Sequence, residues 1–174
     1  MEHEFNEVQR FRIWWAWLGV AALNILFLYA IVQQLILGKP FGEKPAPDFV
    51  LILIELLLLA LLYFLVSIRL YTKINAAGIS YRFHPFHRRE RFISWNELSE
   101  AYMRPYNSLL EYGGWGIRVG SPKTGNAINT SQSANRGLQL RFREGRLLLI
   151  GTAKPDELER FLEQINTAAK LNIS

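Results

Sequence analysis

Cysteine is absent from all 174 residues. That excludes disulfides, thiolate nucleophiles and cysteine metal sites, and it leaves the compartment open. Aspartate is nearly as scarce, with only Asp48 and Asp156. Asp156 is accounted for by a helix start, so the second half offers no aspartate for acid–base work. No carboxylate pair, Ser-His-Asp arrangement or metal-ligand spacing stands out. The chain is therefore expected to be no enzyme and to carry no cofactor and no metal. Basic residues are sparse at the front. Residues 1–68 hold Arg10, Arg12, Lys39 and Lys44 against six acids, a net charge of −2, and residues 69–174 carry +7. A basic half beside an apolar half points to a membrane neighbour or an acidic partner.

Two long apolar runs fill the first part. IWWAWLGVAALNILFLYAIVQQLIL covers residues 13–37, and FVLILIELLLLALLYFLVSI covers 49–68. Each is long enough for a helix to cross about 30 Å of hydrocarbon. Neither has a face that water could wet, which argues against buried helices of a soluble core. The first run is too long for the apolar core of a signal peptide, acids precede it, and no small-residue cleavage site follows. The Gly- and Pro-rich linker GKPFGEKPAPD (38–48) makes the pair an antiparallel hairpin with both chain ends on one side. Arg10 and Arg12 precede the first run. Arg69, Lys73, Arg82, Arg88, Arg89 and Arg91 follow the second, and the linker has only two lysines. By the positive-inside bias both termini are expected in the cytoplasm, with the hairpin in a bacterial inner membrane. Trp14, Trp15 and Trp17 fall where an interfacial aromatic belt belongs.

Asn24, the pair Gln33 and Gln34, and Glu55 interrupt the two runs. Counting along the helices puts Glu55 about 9 Å deep and the glutamines about 5–6 Å from the same face. Glu55 is expected to meet a glutamine across the hairpin, with Asn24 too deep to reach it. A carboxylate is costly in hydrocarbon, so the residue reads either as a hydrogen bond joining helices or subunits, or as an ion or proton site.

After Ile68 the pattern changes to short alternating runs separated by turns. They are RLYTKIN (69–75), GISYRFH (78–84), ERFISW (90–95), SEAYMRP (99–105), GWGIRVG (114–120), the weaker NAINTS (126–131), RGLQLRF (136–142) and RLLLIGT (146–152). About seven strands are expected. Pro155, Asp156 and Glu157 then open a helix with one apolar stripe of Leu158, Phe161, Leu162 and Ile165. That stripe is expected to close the end of a small sandwich or barrel.

INAAGISYRF, ISWNEL, GLQLRFREGRLLLIGT and KPDELERFLEQI together resemble the PH-like (pleckstrin-homology-like) domains of bacterial membrane proteins, over residues 69–170. The resemblance implies an α+β fold, a seven-stranded antiparallel barrel or sandwich closed by a C-terminal helix. With the hairpin it implies two parts, 1–68 in the membrane and 69–174 in the cytoplasm. Most members of that family have no assigned biochemical role. Phosphoinositide-binding PH domains carry several basic residues on the first two strands. Here Lys73 and Arg82 fall there and the turn NAAG has none, which argues against phosphoinositide recognition.

Three glycines surround a tryptophan in EYGGWGIRVG (111–120). A phosphate loop leads from a strand into a helix, but these glycines precede a strand and no Gly-Lys-Ser/Thr follows. They read as a bend or bulge, with Tyr112 and Trp115 left as an aromatic patch for a partner or a membrane interface. FHPFHRRERF (83–92) holds two histidines with Glu90 as the one acid, a poor metal set. Arg88, Arg89 and Arg91 read as a solvated basic turn or a contact for anionic lipid. Arg141, Arg143 and Arg146 form a second basic cluster. Without a reading helix, no nucleic acid is expected. The functional expectation is a membrane-anchored module that docks a protein partner, or another copy of itself, at the membrane surface. The alternatives are an oligomeric ion or proton carrier built on Glu55 and an anionic-lipid sensor.

Overall fold

The structure, a computed structural model, describes residues 4–11, 13–130 and 135–169. Arg12, residues 131–134 of the polar loop NTSQSANR, and residue 170 at the end of the PH-like resemblance lie outside them. The chain divides into two compact units. One is residues 13–67. The other joins residues up to 12 with everything from Ile68 onward.

The first unit is a helical hairpin. Helix α1 (Trp14–Ile31) runs into a π-helical turn, Val32–Ile36, and α2 spans Asp48–Ser67. The two helical stretches of 23 and 20 residues are long and apolar enough to cross a membrane. Most of their large apolar side chains are exposed, among them Leu18, Ile25, Ile36, Phe49, Leu57 and Tyr63, as lipid-facing residues of a two-helix unit would be. The buried positions are Asn24 and Ala30 on α1 and Leu51 and Glu55 on α2.

The second unit holds nine strands among the described residues. The first sheet has the order β1-β2-β3-β4, from Phe5–Arg10, Arg69–Asn75, Gly78–His84 and Arg91–Ser94, all antiparallel. The second has the order β5-β8-β9-β7-β6. Its strands are Leu98–Pro105 (β5), Gly116–Val119 (β6), Asn126–Asn129 (β7), Arg136–Phe142 (β8) and Leu147–Thr152 (β9). Only β7 and β9 run parallel. A short helix α3 (Ser108–Tyr112) precedes β6, and α4 (Pro155–Ala169) ends the described chain.

Two expectations are corrected here. The β unit is a pair of sheets with four and five strands, not a seven-stranded closed barrel. Eight of the nine strands fall on the alternating runs after Ile68, and the ninth is β1, which comes from before the helices. It pairs residue for residue with β2, from Phe5↔Ile74 to Arg10↔Arg69. The boundary at 68/69 therefore misassigns the N-terminal segment. Residues 5–10 complete a sheet, and the helical hairpin is an insertion between two paired strands.

The cores follow the alternation of the strands. Leu70, Ile74, Ile79 and Phe83 of the first sheet are buried, as are Leu138, Leu140, Leu148 and Ile150 of the second. On α4, Leu158, Leu162 and Ile165 are buried, and Phe161 lies 6.1 Å from Phe5 between ring centroids. The other face of the second sheet is also covered, where Tyr106 and Tyr112 pack with Ala127 and Leu149. Burial pushes the Tyr106 hydroxyl up to about 12.

Candidate functional site

The inward face of β1 carries a carboxylate. Glu7 is buried. Its Oε2 accepts from Thr152 Oγ1 at 2.7 Å and its Oε1 from the Ala153 N–H at 2.8 Å. Next to it, Gln9 Nε2 donates to the Gly151 carbonyl at 2.6 Å and Gln9 Oε1 accepts from Thr130 at 3.2 Å. This polar clamp joins β1 of the first sheet to the end of β9 in the second. Desolvation raises the Glu7 pKa, and the bonds from Thr152 and Ala153 oppose the rise. Sequence reading passed over the clamp because polar residues sit where apolar ones define an inward face.

In the helical hairpin the polar residues do not pair as expected. Gln34 Nε2 donates to the Ala46 carbonyl at 2.7 Å and to Asp48 Oδ1 at 2.6 Å. Gln33 Nε2 donates to the Pro40 carbonyl at 3.2 Å. Both glutamines sit in the π-turn and are satisfied by the linker and the start of α2, so neither joins Glu55. The Gln34–Asp48 bond sets the register. Counted from it, Glu55 lies about 10 Å along α2 and Asn24 about 15 Å along α1, less than one turn apart in level. Asn24, not a glutamine, is thus the buried polar residue nearest Glu55 in depth. Its Nδ2 donates to the Val20 carbonyl at 2.7 Å. Glu55 is 4% exposed and Asn24 7%. Both carboxylate oxygens of Glu55 and Oδ1 of Asn24 lack a hydrogen-bond partner among the described residues.

The basic clusters separate in character. Arg88, Arg89 and Arg91 are exposed, on the turn into β4 and at its start. In the same segment His87 is buried. Its Nδ1 accepts from the Phe83 N–H at 3.3 Å, and its ring lies 5.8 Å from Tyr81. Burial lowers its pKa, with Arg91 adding to the effect. His84 is exposed, so the two histidines are in different environments. In the second cluster Arg141 pairs with Glu100 at 3.3 Å and Arg146 with Glu144 at 2.8 Å. Arg146 also lies over the Phe142 ring at 3.9 Å. Arg143 is exposed, with its backbone N–H on the Glu97 carbonyl. Two of these three charges are therefore engaged within the fold.

The glycine-rich stretch is a helix end and a strand start. Asn107 Oδ1 caps α3 by accepting from the Leu109 and Leu110 N–H groups, both at 3.0 Å. Gly113 ends α3 at φ 68°, the left-handed geometry that suits glycine. Tyr112 is not part of a surface patch. It is buried, accepts from Arg104 at 2.8 Å and donates to the Thr124 carbonyl at 3.2 Å. Trp115 is half-buried. The exposed apolar residues here are others: Leu109 and Leu110 on α3, and Ile117 and Val119 on β6. Leu110 is 87% exposed and Val119 83%. Strand β6 is the edge of its sheet, with β7 on one side only. Their signal was the alternation of Ile117 and Val119 beside an Asn–Gly-capped segment.

No protein-family model matches the chain, and no curated protein matches it.

Proposed function

We propose that this chain is a non-enzymatic interaction module, anchored by its helical hairpin in a bacterial inner membrane. Its β unit, of PH-like descent, would lie on the cytoplasmic side and dock an extended segment of a protein partner or of a second copy. One observation carries the reading. The edge strand β6 leaves Ile117 and Val119 exposed with nothing over them among the described residues, and Leu109 and Leu110 on the preceding α3 are exposed as well. An open apolar edge is a template for strand pairing, and natural sheets usually blunt it. The surplus of Arg and Lys flanking the two spans, against two lysines in the linker, supports the cytoplasmic side.

A photo-crosslinking residue placed at Val119 or Leu110 of the full-length chain in native membranes is expected to give a discrete adduct. The same residue at Lys123 is expected to give none. Val119→Lys should abolish the Leu110 adduct. Equal labelling from all three positions would defeat the proposal.

Glu55 and Asn24 favour a second reading. Three unpartnered oxygens within about one helical turn of each other in depth in an apolar hairpin suit an intramembrane ion or proton site. Reconstituted vesicles test it: proton or cation flux that Glu55→Gln abolishes would support a carrier, and flux indifferent to that change would remove it.

A further inference from the structure

β1 places two arginines directly opposite each other. Arg10 pairs with Arg69 across the β1–β2 ladder, and Arg69 pairs with His84 across β2–β3. Residues directly opposite in an antiparallel pair share a face, with Cα atoms about 4.5–5.5 Å apart. The three side chains thus form one row on the outer face, the face opposite Phe5, Leu70 and Phe83. Neither Arg10 nor Arg69 has an acidic partner among the described residues. Like charges directly opposite on a sheet oppose folding. The next row offers no relief: Arg82 stacks over Tyr71 at 4.7 Å. Glu90 lines the same shallow concavity as Arg82, and Glu4 is bound to Lys73 at 2.6 Å.

The row's place in the chain names its counter-ion. Arg10 stands four positions before Trp14, where α1 starts, and Arg69 two positions after Ser67, where α2 ends. Four residues reach at most about 14 Å. Both arginines are held by the covalent chain within reach of the headgroup layer at the two span ends. The row also lies at the end of β2–β3 opposite the turn at Ala76–Ala77, so it is distinct from the poorly charged turn noted above. We propose that the Arg10–Arg69–His84 row binds the phosphate of an anionic membrane phospholipid, which neutralises the facing arginines and locks β1 to β2. Two guanidinium groups side by side supply the forked donors that a phosphate diester accepts. The proposal rests on the two helices lying in lipid, not on docking of a partner.

The test uses the full-length chain in phosphatidylcholine vesicles with and without phosphatidylglycerol. It reads the melting midpoint of the β unit and amide exchange along β1 and β2. Phosphatidylglycerol is expected to raise the midpoint and slow exchange at the Arg10–Arg69 end. Arg10→Gln and Arg69→Gln should each weaken that response about fivefold. In phosphatidylcholine alone they should melt at or above wild type, because the repulsion is gone. Arg88→Gln with Arg89→Gln removes twice the charge of either single variant, from the neighbouring turn, and should keep the response. The site is overturned if phosphatidylglycerol does nothing, if the Arg88/Arg89 variant loses as much, or if inorganic phosphate added to phosphatidylcholine vesicles gives the same gain. A chain that alkaline carbonate strips from the vesicles would overturn the membrane anchor itself, a result separate from the other three.

Discussion

Glu7 shows how one side chain ties stability to pH. It is a buried acid whose folded pKa lies above the ordinary 4.5, chiefly because burial disfavours the charged form. The folded state therefore holds its proton more tightly than the unfolded chain does. Its contribution to stability is complete below pH 4.5 and is lost as pH rises through the raised value. Glu7→Gln keeps the shape but cannot ionise. It leaves one of the donors that met the carboxylate without an acceptor, at a cost of about 1–3 kcal/mol. The variant is expected to be less stable at low pH and to lose the decline that wild type shows as pH rises above 4.5. Denaturant midpoints of both proteins across that range would show it. An unchanged slope in the variant would assign the pH dependence elsewhere. His87 has the opposite sign. Its lowered pKa makes its contribution full above the ordinary 6.5 and reduces it as pH falls below that value.

Elements were legible in the sequence to the extent that their inward faces were apolar. Strands β2, β3 and β8 alternate cleanly, and α4 opens with Pro155 and two acids and buries one stripe. Strand β1 inverts the code. It buries Glu7 and Gln9 and exposes Val8, so its pattern reads as a polar tail before a greasy helix. The edge strand β6 shows apolar residues but cannot declare from sequence whether they face a core or open solvent. Helix α3 has five residues, too few for periodicity, yet both its ends are written: Asn107 at the start and Gly113 at the finish. Asn107→Ala removes the acceptor for two N–H groups and is expected to cost about 1 kcal/mol. Because Tyr112 sits on α3 and packs with Ala127 and Leu149, the loss should also speed amide exchange in β7. Exchange in β7 that stays at the wild-type rate would mean α3 does not support that strand.

For the whole molecule, the decisive feature is the order of the chain. The β1–β2 pair is interrupted in the chain between Arg10 and Arg69, and both long apolar helices are inserted there in sequence. The β unit is complete only when both apolar helices have been made, so a fragment beginning at residue 69 lacks one of its strands. It would lose the buried face of β1, Phe5 against Phe161, the Glu7 bonds to Thr152 and Ala153, and the cover over one edge of β2. An uncovered edge strand invites pairing with other chains. The fragment 69–174 is therefore expected to associate and to melt without a sharp transition. Reconnecting the hairpin should cure this. If residues 11–68 are replaced by Asn-Gly, Arg10 and Arg69 are joined by a two-residue turn of the kind that closes antiparallel pairs. The register between β1 and β2 already ends on that pair, so no strand need shift. This version is expected to stay monomeric without detergent and to unfold cooperatively. Adding Arg10→Gln should stabilise it further, since it has no membrane to neutralise the facing arginines. Size-exclusion chromatography and thermal melts of the three proteins decide the matter. If the fragment from residue 69 matches the reconnected chain in both, β1 is dispensable, and the helices do not interrupt a single folding unit.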